Sequence, residues 1–286
     1  MNQISIITVT RNRAELLARR ALVSLQQQTI EDFEWIVIND GGDTATRKLI
    51  ESVKSDLNFE LIYREMPHLN EGFALCHGRN LGISLAKNEL VTYLDDDNAL
   101  YPDFVASMTS FMTANPQLKL ALPLQKRSRQ VWQNGTMVVQ GRTFISPASD
   151  SNINDLICHR ELVDSNGLTH ILADAPRWNK SHRIYCDYEY FLQCLSLWGS
   201  ASFEVNPNLL VEYIQSNQGI IGQSDYGSWA MELKQIVTNH KSYPILFSNP
   251  EYKEALELLS DKYEKKHKKK LNIPAFKYTQ AANDDL

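Results

Sequence analysis

The sequence predicts an α/β fold, with a mostly parallel central sheet carrying helices on both faces and a C-terminal helical extension. Three observations predict it. Strand and helix patterns alternate four times over residues 1–115, the order that builds a parallel sheet. The strand candidates are β-branched and almost continuously apolar, as strands buried on both faces are. Polar clusters follow several of them, at the carboxyl ends where open α/β sheets bind ligands.

Taken in order, Ile4 to Thr10 is the first strand, closed by Arg11-Asn12-Arg13. Ala14 to Gln28 has helical spacing, with Leu16, Leu17, Ala21, Leu22 and Leu25 on one face. Phe33 to Ile38 is the second strand and ends in the turn signal Asn39-Asp40-Gly41-Gly42. A short helix over Thr44 to Lys54 and a third strand over Phe59 to Tyr63 follow. Gly78 and Gly82 lie in the next helix, which runs to about Ala86, and suit close packing. Leu90 to Leu94 is the fourth strand and delivers Asp95-Asp96-Asp97-Asn98. Tyr101-Pro102 opens a helix through Met112.

Beyond residue 120 the pattern is less regular. Strands are expected over 120–125, 136–139, 152–159, 201–205 and 209–213, with a short helix near Glu161 and a polar loop over 177–184. Asp187 to Trp198 has helical periodicity. Residues 215–228 are polar and contain several glycines, as a loop or lid would. Helices follow over 229–239 and 252–259, then a charged run over 261–270. The expected division is a main domain over residues 1–215 and a helical extension over 216–286.

Composition narrows the function classes. A chain of 286 residues that is 43% hydrophobic can bury a large core. A net charge of −5 argues against a nucleic-acid partner. The local exception is Lys265 to Lys270, which suits a solvated helix end or peripheral contact with anionic lipid headgroups. Cys76, Cys158, Cys186 and Cys194 form no CxxC pair and are expected as free thiols in a reducing, cytoplasmic setting, which includes the membrane inner face. The start lacks a basic region followed by an apolar run, and no stretch approaches the roughly 20 apolar residues of a membrane span. No HExxH, phosphate-loop or GxGxxG motif occurs. Cys158 and His159, adjacent on an expected strand, point to opposite faces and make no nucleophile pair.

The acidic cluster Asp95-Asp96-Asp97 carries the chemistry. Three adjacent carboxylates repel one another, and burying them unpaired is costly. A divalent cation, Mn²⁺ or Mg²⁺, offsets that repulsion and keeps phosphates in its shell. The alternative is an acidic helix cap in solvent.

Five pieces together resemble the family 2 glycosyltransferases, which have the GT-A fold. They are Ile-Ile-Thr-Val-Thr-Arg-Asn-Arg at 6–13, Trp-Ile-Val-Ile-Asn-Asp-Gly-Gly at 35–42, Gly78-Arg79-Asn80-Leu81-Gly82, Leu94-Asp95-Asp96-Asp97-Asn98 and Asp187-Tyr188-Glu189. The resemblance covers residues 4 to about 213 and implies an inverting, metal-dependent transfer from a nucleoside-diphosphate sugar, UDP-linked in the commonest case. The acceptor would be a saccharide, glycolipid or other hydroxyl compound. Thr8, Thr10 and Arg13 would line the base and ribose pocket. Asp40 would contact the base, with Asn39 standing where the family usually has an acid. Arg79 and Asn80 would lie near the base or diphosphate. Asp95 would contact ribose or sugar, Asp97 would ligate the metal with Asp95, and Asp96 would be their partner. Asp187 would be the general base and Glu189 its alternate, with Cys186 in a place often held by an acid. Lys180, His182 and Arg183 would meet the diphosphate, Trp178 would stack on a sugar, and His159 would pack the donor sugar. Two other classes stay open at this point. One is a noncatalytic nucleotide-sugar or carbohydrate-binding module. The other is a nucleotidyltransferase, although residues 10–13 lack the glycine richness that its phosphate loop needs.

Overall fold

The computed structural model describes residues 3–133, 136–158 and 163–271. The first half alternates as expected. It comprises β1 (Ile4–Thr10), α1 (Ala14–Leu17), a π-helical turn (Ala18–Leu22), α2 (Val23–Gln26), β2 (Phe33–Asp40), α3 (Thr44–Val53), β3 (Glu60–Met66), α4 (Ala74–Leu85) and β4 (Leu90–Tyr93). A two-residue strand β5 (Ala99–Leu100) and α5 (Phe104–Ala114) follow. The second half holds β6 (Leu120–Gln133), β7 (Thr136–Ser146), α6 (Ile153–Ile157), β8 (Thr169–Ile171), α7 (Cys186–Trp198) and β9 (Phe203–Ser216). The C-terminal helices are α8 (Tyr226–Thr238), α9 (Pro244–Ser248) and α10 (Pro250–Lys268).

The strands form one sheet in the order β3-β2-β1-β4-β8-β6-β9-β5, with β7 beside β6. Among the described strands, β3, β2, β1 and β4, and separately β6 with β9, pair in parallel. Pairings through β5, β7 and β8 are antiparallel. The sheet is therefore mixed rather than purely parallel: its longest ladders but one are parallel, and hairpins and short return strands add the antiparallel pairings after β4.

Alternation along β1 and β2 explains their unbroken apolar runs. Ile4, Ile6, Trp35 and Val37 enter one buried cluster, and Ile7, Ile36 and Ile38 enter the other. Both faces of the sheet are covered, so both side-chain sets are apolar. The glycines of α4 set its distance from β1. A Cβ at Gly78 would lie 2.7 Å from Val9, and one at Gly82 would lie 2.5 Å from Ile7. That close approach brings the helix that carries Arg79 over the carboxyl end of the sheet.

Two expectations need correcting, and a third lies beyond what the structure describes. Residues expected as a strand over 152–159 form α6 instead, which begins at a capping box between Asn152 and Asp155. The expected helix near Glu161 lies outside the described residues. The two strands expected over 201–205 and 209–213 are one strand, β9. Its ladder with β6 shifts register around Pro123 and Leu124, opposite Asn206 and Leu209. Pro207 lacks the N–H that an unbroken ladder would use there.

The C-terminal helices pack into the same core. Leu233, Leu256, Leu259 and Tyr263 are buried in one cluster with Tyr190 and Leu192 of α7. Among the described residues, no helix is long and apolar enough to cross a membrane.

Candidate active site

The carboxyl ends of β1 and β4 lie side by side, with Ile7 opposite Tyr93. The loops that leave them therefore meet. Arg13 places one guanidinium nitrogen 2.8 Å from Asp96 and the other 2.5 Å from Asp97. The Thr10 hydroxyl donates to Asp96 at 2.7 Å. Arg20, on the π-helical turn, donates to the Asp97 carbonyl at 3.3 Å. Burial pushes the Asp96 carboxyl up to about 7, with Arg13 opposing and Asp97 adding repulsion. Asp97 is raised as well, again through burial first and against Arg13.

Arg79 joins this rim to α7. It donates to Asp187 at 2.6 Å through one nitrogen, and to Asp95 at 3.0 Å and the Ser165 hydroxyl at 2.7 Å through the other. Its side chain is 2% exposed, whereas those of Asp95 and Asp187 are 30% and 22% exposed. The guanidinium lies 4.3 Å from the centre of the Trp178 ring. A buried cation is thus paired with two carboxylates, each still partly open to the cleft. Asn166 fixes Asp95 from the other side. Its amide donates to the carboxylate at 2.9 Å, and its carbonyl accepts the Asp95 N–H at 2.7 Å.

These groups share a cavity of about 290 Å³ lined by Arg13, Asp95, Asp96, Asp97, Asp187 and residues beyond them. An adjoining cavity of about 580 Å³ is lined by Thr10, Arg11, Asp40, His68, Lys180 and His182, and the two share Arg13, Asp96 and Arg183. Asp40 accepts from His68 Nδ1 at 2.8 Å when that nitrogen carries its proton. Asn39, in the place of an expected acid, has a structural task. It donates to the Asp43 carbonyl and the Tyr63 hydroxyl and so holds the turn that opens α3.

Several expected site residues lie elsewhere. Thr8 is buried and accepts from the Trp35 indole. Asn80 is spent on the Trp178 backbone, with bonds of 2.9 and 2.8 Å. Trp178 is buried and stacked on Tyr190 at 4.0 Å, so it supports Arg79 from behind and lines neither cavity. Glu189 is 1% exposed and accepts from the Tyr243 hydroxyl at 2.7 Å, turned into the core. Its two-residue offset from Asp187 on α7 puts it on another side of the helix. His159 lies outside the described residues.

Other groups at the site were not singled out from sequence. Asp164 lines the cavity, accepts from the Asn166 backbone and side chain at 2.9 and 2.7 Å, and is pushed up to about 7, first by burial. Arg127 and Tyr213 line the same wall, with the guanidinium 4.6 Å from the ring centre. Glu232 of α8 accepts the backbone N–H groups of Arg183, Ile184 and Tyr185 at 3.1, 2.9 and 3.0 Å, and so fixes the segment leading to Asp187. The turn signal Asn166-Gly167 could have drawn attention to the Asp164 segment. Nothing local marks Glu232.

Two carboxylates and an open cleft are a workable donor set for a hard cation, which completes its shell with phosphate oxygens and water. Among the described residues, no three His, Cys, Asp or Glu side chains converge to make a protein-only metal cage. Asp97 keeps 19% of its side chain exposed beside Asp95, so these two fit that partial role.

The sequence profile described as Glycosyl transferase family 2 matches residues 5–158. The chain belongs to glycosyltransferase family 2. Among relatives, chondroitin synthase of Escherichia coli is 32% identical over 120 residues, which is 42% of this chain and 17% of that one. The matches to such curated relatives span under a third of the relatives' own length. Among solved structures, residues 1–349 of TarS from S. aureus, in complex with UDP, superpose with TM-score 0.61 at 15% identity, covering 93% of this chain and 71% of that one. The mannosyltransferase PcManGT from Pyrobaculum calidifontis, in complex with GDP-Man and Mn²⁺, gives TM-score 0.58 at 12% identity over 96% and 77% of the two chains. At these identities the superpositions establish a shared GT-A fold.

Proposed function

We propose that the chain transfers a sugar from a nucleoside-diphosphate sugar, UDP-linked, to an acceptor hydroxyl with inversion at the anomeric carbon. The observation that carries this is the Arg79 bridge, which sets Asp187 and Asp95 on one guanidinium within one cavity. The adjoining cavity, with Asp40 and the cations Arg11, Arg13 and Lys180, is the proposed nucleotide pocket. The nucleotide-bound complexes of TarS and PcManGT support a nucleotide-sugar donor.

In this reading, Asp95 orients the ribose or sugar, and Arg13 and Arg183 face the diphosphate where the two cavities meet. Asp187 accepts the proton of the attacking hydroxyl on the side away from the leaving group. Arg79 holds that carboxylate in place through its 2.6 Å bond. Asp97 with Asp95 would hold a divalent cation, Mn²⁺ or Mg²⁺, which when bound supplies charge neutralisation to the departing diphosphate.

A thermal-shift panel of UDP, GDP and their sugars, with and without Mn²⁺, tests the donor class. UDP with Mn²⁺ should stabilise the fold, by about 2.7 kcal/mol at a hundredfold excess over Kd. Stabilisation by nucleoside triphosphates alone, with release of pyrophosphate, would replace this reading with nucleotidyl transfer. The anomeric configuration of the first product, read by NMR, tests inversion.

A further inference from the structure

Strands β9, β6 and β7 carry a cationic strip outward from the cavity that holds Asp187. In the ladder of β6 with β9, Arg127 stands opposite Tyr213 and Arg129 opposite Gln215. In the ladder of β6 with β7, Arg127 stands opposite Phe144. Alternation puts these five side chains on one face of the sheet. The β7 register shifts between Ser128 and Gln130, and the Arg142 guanidinium joins the same face, 5.5 Å from the centre of the Phe144 ring. Arg127, Tyr213 and Gln215 line the Asp187 cavity, and none of the three lines the adjoining cavity proposed for the nucleotide. Arg129 is the next step outward. It is half-buried, and its Nε donates to the Gln215 side chain at 3.3 Å.

Charge on this strip is unbalanced. Residues 120–149 contain Lys126, Arg127, Arg129 and Arg142 but no Asp or Glu. Among the described residues, Arg129 and Arg142 have no carboxylate partner. The Arg129 guanidinium instead lies 5.7 Å from the Phe144 ring centre, so both arginines rest against one ring. Burial first, and then repulsion from Arg142, lower the Arg129 pKa from its ordinary value. Tyr226 is within electrostatic reach of Arg129, and its hydroxyl lies 3.4 Å from Lys266 Nζ, so a third cation borders the strip. The opposite face of the same strands is different, because there Glu212 has Arg20 at 2.8 Å.

Two like charges held close together repel, and an anion between them reverses the sign of that interaction. Stacking on a ring leaves guanidinium N–H groups unspent. Such a fork matches the paired oxygens of a phosphate or a carboxylate.

We infer that the acceptor is an acidic compound, and that a phosphate or carboxylate near its reacting hydroxyl binds Arg129 and Arg142 at the edge of the Asp187 cavity. The inference rests on Asp187 marking the acceptor side, and it adds the chemical class of the acceptor. Phosphate and carboxylate share the oxygens that the guanidinium forks recognise, and the probes separate them.

The experiment uses the full chain loaded with UDP and Mg²⁺, so that the nucleotide pocket is filled. Galacturonic acid oligomers are titrated against their methyl esters, and phosphorylated oligosaccharides against their dephosphorylated forms, with binding followed by calorimetry. In at least one pair the acidic form should bind about tenfold tighter than the neutral form. A lead for galacturonate identifies a carboxylate, and a lead for the phosphorylated form a phosphate. Arg142→Gln, an exposed change, should cut that lead by about threefold. Arg129→Gln combined with Arg142→Gln should reduce it to about twofold or less. Arg19→Gln removes an exposed charge paired with Glu15 and should leave the lead unchanged. Retained UDP binding reports that each variant is folded, and if the double variant loses it, the single one decides. Equal binding of acidic and neutral forms in both pairs, including none at all, overturns the inference. So does a lead that survives the substitutions, or one that Arg19→Gln removes as well. Sedimentation with acidic vesicles that depends on Arg129 and Arg142, with no lead for the soluble acids, would make the strip a membrane contact and overturn it too. A lead in a chain that binds no nucleotide sugar would keep the anion site and reject the glycosyltransferase reading instead.

Discussion

Asp164, like Asp96, is a site carboxylate that burial makes costly to ionise. Burial raises it, Asp187 and Asp95 add repulsion, and Arg127 and the Asn166 amide oppose them, leaving it at about 7. The ordinary unfolded value is about 3.9. Between those values the folded chain binds more protons than the unfolded chain, so this group's contribution to stability falls as pH rises through the window. His170, buried against Tyr93 and Tyr190 and lowered to about 4, has the opposite slope below about 6.5. Asp164→Asn isolates the first effect. The variant should gain in Tm on the wild type as pH rises from about 4.5 to about 8, read by scanning calorimetry. A gap that stays constant or narrows would contradict this account of Asp164. At this scale the sequence revealed residues that announce themselves beside a strand end or in a motif. Asp95, Asp96, Asp97 and Asp187 all reach one cavity. Thr8, Trp178 and Glu189 sit in equally suggestive places but are buried, and Asn80 is spent on the Trp178 backbone, because side-chain direction there is set by tertiary packing.

At the scale of elements, the proposed catalytic geometry depends on α8, a helix outside the strand-helix alternation. The three amides before α7 have one carboxylate, Glu232, as acceptor. Leaving buried donors unpaired costs about 1–3 kcal/mol each. Glu232→Ala should lower stability by a few kcal/mol and reduce kcat while donor KM stays near the wild-type value. Glu232→Gln, which keeps an acceptor, should recover part of kcat. Equal losses in both variants, or a loss confined to donor KM, would show that Glu232 only supports the fold. Strands β1, β2 and β4 were legible because two-sided burial writes a continuous apolar run. Strands β5 and β8 have two and three residues, too few to carry a period. The α6 segment contains a short apolar run that suits strand or helix alike. Its capping box was the signal that decides between them.

Across the whole molecule, the parallel half of the sheet supplies the acidic rim, and the mixed half with α7 supplies Asp187. The order of motifs made the first half readable. The second half was less so, since Asp164, Arg127 and Glu232 are assembled from distant segments. Charge is also uneven. The chain carries −5 overall, yet α10 ends in Lys265, Lys266, His267 and Lys268, followed by Lys269 and Lys270. Clustered lysines are attracted to anionic lipid surfaces. We therefore expect the chain to sediment with vesicles containing acidic lipid at low salt, and to lose this when Lys265, Lys268, Lys269 and Lys270 are changed to Glu. Equal binding to neutral vesicles, or no sedimentation, would contradict that expectation.

The central claim is that Asp187 takes the acceptor proton while Arg79 ties it to the carboxylates at the donor. The most direct measurement pairs donor affinity with single-turnover transfer in Asp187→Asn. The expected result is donor binding within about twofold of wild type and transfer slowed by about 10²–10⁴-fold. Transfer at the wild-type rate would remove Asp187 from the chemistry and contradict the claim.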